Sequence, residues 1–182
     1  MKFVAAFACA ALSLAAQDVV IHFDPAQTKV SFTLSDVLHT VRGAFRLKQG
    51  EIRFDPATGK ASGQLIVDAA SGDSGSGARD GRMKKNILET QKYPEIVFAP
   101  DRVDAKVNLE GDSQVQVHGS FTIHGAAHEL TIPVTVHASR GQIKAETRFN
   151  VPYVKWGMKN PSTLFLRVAD QVTINIVAVG QA

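Results

Sequence analysis

The chain has 182 residues, of which 45% are hydrophobic, 7% aromatic and 20% charged, with one cysteine. That balance excludes an intrinsically disordered chain and a disulfide-stapled miniprotein. Lys and Arg number 20 against 17 acidic residues, a net charge of +3 with no dense basic block, which argues against dedicated nucleic-acid binding.

Residues 1–16 read as a secretory signal. Met1-Lys2 supplies a positive start, residues 3–14 are apolar, and Ser13-Leu14-Ala15 offers small residues where a signal peptidase reads, with Ala16 a neighbouring cut. The run is too short for a bilayer, and no later segment reaches the about 18 apolar residues of a spanning helix, so no membrane span is expected. Cys9 falls inside the signal and reads as a small apolar residue, since Phe7 sits badly for a lipid-attachment signal. The expectation is one secreted or periplasmic domain over residues 17–182, held by an ordinary core without disulfides.

The dominant period along that domain is two. Val30, Phe32 and Leu34 alternate with Lys29, Ser31 and Thr33, then Val41, Phe45 and Leu47 with Arg42, Arg46 and Lys48. Ile52 and Phe54 alternate with Glu51 and Arg53, and Leu65 and Val67 follow Gln64. Residues 71–77, rich in Ser and Gly, read as a flexible connection, and 78–88 as a short helix. Met83 and Ile87 share one face of it, and Arg79, Asp80, Arg82, Lys84 and Lys85 make the rest polar. This helix reads as a surface element closing one end of the fold, with a lid beside a cavity mouth as the alternative.

Alternation resumes with Val115, Val117, Phe121 and Ile123, then Leu130, Ile132, Val134 and Val136, then Ile143, Ala145, Thr147 and Phe149. Val172, Ile174 and Ile176 belong to the last strand. Asp55-Pro56-Ala57-Thr58-Gly59, Glu110-Gly111-Asp112 and Arg140-Gly141 are the turns between runs. The pattern predicts an all-β, antiparallel up-and-down meander of about eight strands, each with one dry and one wet face. Eight strands close into a barrel that holds side chains or one small ligand. A sandwich is the alternative, because alternation does not say how a sheet closes.

His118, His124 and His128 raise a metal hypothesis. Matching apolar faces sets Ile123 opposite Leu130 and His124 opposite Glu129, with residues 125–128 as the turn. His118 and His124 are then roughly 20 Å apart at ~3.3 Å per residue. Two ligands fall short of the three or four that zinc takes, so no metal site is expected. No cysteine nucleophile remains after residue 16, and no Gly-x-Ser-x-Gly elbow or His-Glu-x-x-His helix is present, so no catalytic residues are assigned. Arg79-Asp80 reads as a helix-surface ion pair. Tyr153 and Trp156, set among Lys155 and Lys159, form a second irregular stretch that caps the core or lines a cavity mouth.

The order of these segments resembles the YceI-like lipid/polyisoprenoid-binding family. Val41-Arg42-Gly43-Ala44-Phe45 and Gly50-Glu51-Ile52-Arg53-Phe54-Asp55 are similar to its N-terminal signature. Arg79-Asp80-Gly81-Arg82-Met83 and Lys92-Tyr93-Pro94-Glu95-Ile96-Val97-Phe98 resemble its most distinctive block. His118-Gly119-Ser120-Phe121-Thr122-Ile123-His124-Gly125 looks like its hairpin entry, and Trp156-Gly157-Met158 like the element before its closing strand. The chain departs from the family at Asn86-Ile87-Leu88, where an aromatic pair is usual, and over residues 159–168.

The resemblance implies a lipocalin-like, extended eight-stranded antiparallel β-barrel with one short helix, whose tunnel holds an isoprenoid lipid such as a polyprenyl chain or an isoprenoid quinone. No cofactor is implied. On that reading Phe32, Phe45, Phe98, Phe121, Ile132, Val134 and Phe149 are wall residues, and Met83, Ile87 and Trp156 line the mouth. A dimer is compatible with the pattern. The competing readings are an enzyme or metal protein using the polar mouth around Arg79, Asp80, His124 and His128, and a structural barrel with a protein partner.

Overall fold

Alternating apolar and polar side chains become nine strands in a computed structural model that describes residues 18–35, 40–163 and 167–182. The expected signal segment and Cys9 lie outside the described residues. In chain order the strands are β1 (Val19–Phe23), β2 (Lys29–Ser35), β3 (Thr40–Phe54), β4 (Ala61–Asp73), β5 (Glu95–Asp104), β6 (Gly111–Ile123), β7 (Ala126–Ser139), β8 (Gln142–Val151) and β9 (Val172–Gln181). All pair antiparallel in the order β3-β2-β9-β8-β7-β6-β5-β4, and β4 returns to β3 to close the ring. Closure leaves the sheet no long free edge.

The barrel has eight strand positions because β1 and β2 share one. Both pair with β3 and with β9, β1 against the far end of each and β2 against the rest. Asp24 breaks the line between them: its carboxylate accepts the Ala26 N–H at 2.8 Å and the Gln27 side-chain amide at 2.6 Å. Such an Asx turn interrupts a strand without leaving the sheet.

A bulge in β3 preserves the inner face. Leu47 pairs with Val67 but Gln49 pairs with Ile66, so Lys48 is an extra residue. Inward positions therefore switch from odd numbers (Phe45, Leu47) to even ones (Gly50, Ile52, Phe54).

The hairpin between β6 and β7 corrects the expected register. Ile123 pairs with Ala126, Phe121 with His128 and Gly119 with Leu130, leaving only His124 and Gly125 in the turn. Both have positive φ, 51° and 75°, the requirement of a two-residue type I′ turn. The shift from the expected pairing is four residues. An even shift keeps every side chain on its face, so apolar matching alone does not reveal it.

Between β4 and β5 the structure also differs from expectation. β4 continues to Asp73, so the first three residues of the expected connection are strand. The Ser71 hydroxyl donates to the Asp68 carbonyl at 2.6 Å and accepts the Arg46 N–H at 2.8 Å. Helix α1 (Gly77–Arg82) is followed by one π turn (Met83–Ile87), whose wider spacing is closed by the Leu88 N–H on the Met83 carbonyl at 2.9 Å.

The two barrel ends are built differently. At the helix end lie α1, the π turn, residues 152–163 and 167–171, and the β6–β7 turn. The turn end carries short connections, β1 and the loop of residues 105–110.

Candidate functional site

Inward residues of an eight-stranded ring either fill its centre or leave space, and here they leave two chambers. The helix-end chamber has a volume of about 130 Å³, with walls that include Phe32, Leu34, Phe45, Met83, Ile87, Leu88, Ile123 and Tyr153. The turn-end chamber, about 160 Å³, is walled by residues that include Phe23, Phe54, Phe98, Val107, Leu109, Ile132, Val134 and Phe149. Val67, Ile96, Phe121 and Ile176 belong to both. The expected single tunnel is thus divided at a waist.

The walls are dry because their polar atoms are already committed. Thr147 is the one hydroxyl residue on the turn-end wall, and it donates to the Pro133 carbonyl at 2.7 Å. Tyr153 is its counterpart at the helix end, donating to the Ala169 carbonyl at 2.7 Å. Burial, with the Asp170 carboxylate nearby, pushes the Tyr153 hydroxyl up to about 12, so it stays neutral. Neither chamber offers a free donor or a charge from these groups. An apolar guest loses no hydrogen bond to the wall on entry.

Nine of the ten residues expected at the site line a chamber. Phe32, Phe45, Met83 and Ile87 face the helix-end space, Phe98, Ile132, Val134 and Phe149 the turn-end space, and Phe121 both. Trp156 lines neither. Its ring stacks on His128 at 4.0 Å with a 5° tilt and lies 5.9 Å from Phe121, so it packs against the helix-end core beside the lumen. Leu88, Tyr153 and Met158 are wall residues that alternation does not point to, since they come from irregular segments.

The polar groups of the competing readings do not converge. Arg79 and Asp80 do not form the expected ion pair; both meet Ser74. The Arg79 guanidinium donates to the Ser74 hydroxyl oxygen at 2.7 Å and carbonyl at 2.8 Å, while the Asp80 carboxylate accepts the Ser74 N–H at 3.0 Å and its hydroxyl. Hydrogen bonding from Ser74 holds the Asp80 carboxyl below its ordinary value. His118 points outward between Asp104 and Thr131, both at 2.7 Å. His124 sits in the turn against the Tyr93 ring at 4.7 Å, and His128 stacks on Trp156. Among the described residues no three His, Cys, Asp or Glu side chains come together as metal ligands.

Against known proteins, the YceI-like domain model matches residues 22–179, nearly the whole barrel. The chain belongs to the YceI-like family. A UPF0312 protein of Vibrio cholerae is 29% identical over 120 residues, covering 64% of this chain and 61% of the relative. One from Vibrio parahaemolyticus is 30% identical over 133 residues, 70% of this chain and 66% of the relative. The match therefore spans about three fifths to two thirds of these curated relatives' length. Among solved structures, BcnA of Burkholderia cenocepacia superposes with a TM-score of 0.74 at 25% identity, covering 86% of this chain and 98% of that one. A polyisoprenoid binding domain from Saccharophagus degradans, implicated in plant cell wall breakdown, gives 0.71 at 18% identity, covering 89% and 98%.

Within this YceI-like barrel the distinctive sequence block has a physical task. Tyr93 and Pro94 precede β5, and Tyr93 packs its ring on His124, fastening the connection after the π turn to the β6–β7 turn. The Pro94 carbonyl accepts the Ala69 N–H at 3.0 Å and starts the β4–β5 pairing. Ile96 and Phe98 then point inward, one at the waist and one in the turn-end chamber. The motif delivers wall residues to the lumen.

Proposed function

We propose that the lumen binds the hydrocarbon tail of an isoprenoid lipid, a polyprenyl chain or an isoprenoid quinone, and that the protein is a carrier or buffer for it outside the cytoplasm. The observation that carries this reading is a pair of adjoining chambers walled by apolar side chains, with the wall hydroxyls bonded to the barrel's own carbonyls. The fold similarity to a polyisoprenoid binding domain supports the ligand class. The reading is one of binding and not of catalysis, because family and fold both point to a binding protein. Residues 1–16 support export.

Magnitudes favour a tail over a headgroup as the source of affinity. At ~0.3 kcal/mol per heavy atom, each five-carbon unit contributes about 1.5 kcal/mol. Chambers of about 130 and 160 Å³ bracket the roughly 150 Å³ cavity that admits a benzene ring, so each receives a group of about that size. A longer tail occupies both and moves wall side chains.

Organic extraction of the purified, exported protein followed by mass spectrometry tests the proposal. A stoichiometric isoprenoid lipid is the expected result. An empty extract, together with no uptake of added isoprenoid alcohol, would overturn it. N-terminal sequencing of the exported protein tests the cleavage, with a start at residue 17 expected.

A further inference from the structure

The two chambers meet at four side chains from four strands: Val67 on β4, Ile96 on β5, Phe121 on β6 and Ile176 on β9. In the eight-position ring, β5 and β9 lie four steps apart whichever way one counts, so Ile96 and Ile176 face each other across the barrel. Phe121 is the largest of the four and the only aromatic one. It is 7% exposed and is held from two sides, edge-on to Phe149 at 6.0 Å and tilted to Trp156 at 5.9 Å. Trp156 is itself pinned by its stack on His128. Close packing of this kind resists small displacements.

We infer that Phe121 is the specificity-determining residue of the lumen, dividing it into two short compartments and so setting the length of apolar chain that binds without cost. This rests on the lumen reading above. A single isoprene unit fits on one side of Phe121. Each further unit has to displace the ring from its contacts with Phe149 and Trp156, which offsets the gain from burying that unit. The barrel therefore discriminates by length at an internal gate as well as at its mouth.

The test is a titration series of isoprenoid alcohols with two, three and four units, against the wild-type protein, Phe121→Ala and His137→Ala. Phe121→Leu replaces the alanine variant where that fails to fold, judged by thermal unfolding. In the wild type, affinity changes little from two units to four. In Phe121→Ala it rises about tenfold with each added unit, the full gain of burying five more carbons. His137→Ala alters an outward side chain that holds Asp112 and lines neither chamber, so its length dependence follows the wild type. Parallel length dependence in wild type and Phe121→Ala overturns the gate and leaves the lumen reading standing. No binding of any alcohol by any of the proteins overturns both.

Discussion

The helix end and the turn end close the same barrel by opposite means. At the turn end the chain reverses tightly: Arg140 and Gly141 make the β7–β8 turn, and Asp55 caps the β3–β4 turn by accepting the Ala57 N–H at 2.8 Å. Its loop of residues 105–110 dips Val107 and Leu109 into the lumen, and Leu109 is 38% exposed. At the helix end two long irregular segments reach inward and are buried, Leu88 at 8%, Tyr153 at 6% and Met158 at 3%. Strands supply the tube at both ends, but only at the helix end do connections supply much of the core. Stability and shape are therefore more sensitive to substitution there.

The same substitution at each end measures this difference. Leu88→Ala removes a buried side chain from the helix-end wall and should cost about 2–5 kcal/mol in chemical denaturation. Leu109→Ala removes a side chain that water already reaches, so no closed cavity forms and the cost should stay near 1 kcal/mol or below. Equal costs would mean that the two ends are sealed alike.

Two glycines sharpen the contrast. Gly125 and Gly141 occupy equivalent positions in two-residue turns, with φ of 75° and 78°. A side chain at either meets the left-handed backbone penalty of roughly 1–2 kcal/mol. At Gly125 an added Cβ would also lie 2.3 Å from the Tyr93 ring, whereas at Gly141 the nearest atom is the Ala182 carbonyl oxygen at 3.7 Å. Gly125→Ala should therefore unfold at lower temperature than Gly141→Ala. Equal unfolding temperatures would mean that the Tyr93 ring yields more easily than its contact with His124 implies.

The same division separates what sequence reveals from what it hides. Period-two alternation identifies the inward residues of the regular strands, because each face of a half-buried strand is chemically distinct. Phe32, Phe121, Ile132 and Phe149 need no other argument. Register is harder: shifting β7 by four residues preserves every face, and only the positive φ of His124 and Gly125 separates the pairings. β1 escapes because Asp24 interrupts a strand position that β2 completes. Leu88 and Met158 escape because irregular backbone has no period, and Tyr153 is found only as one of two aromatics in an irregular stretch. The waist escapes entirely, since Ile96 and Ile176 meet only through barrel closure.

Tyr153 gives the smallest effect and the one most specific to the helix end. Tyr153→Phe keeps the ring in the wall and removes only the hydrogen bond to the Ala169 carbonyl, so it should cost about 1 kcal/mol at neutral pH. The folded hydroxyl titrates at about 12, above its ordinary value of about 10, because burial favours the neutral form. Its contribution is therefore complete below about pH 10 and is lost as the pH rises from there through 12. Wild type and Tyr153→Phe should differ at neutral pH and converge across that interval, which urea denaturation at stepped pH would read directly. Lysine titration acts on both proteins alike and cancels in the difference. A gap that persists unchanged above pH 12 would mean that the hydroxyl is not what ties Tyr153 to Ala169, and the helix end would then owe its closure to apolar packing alone.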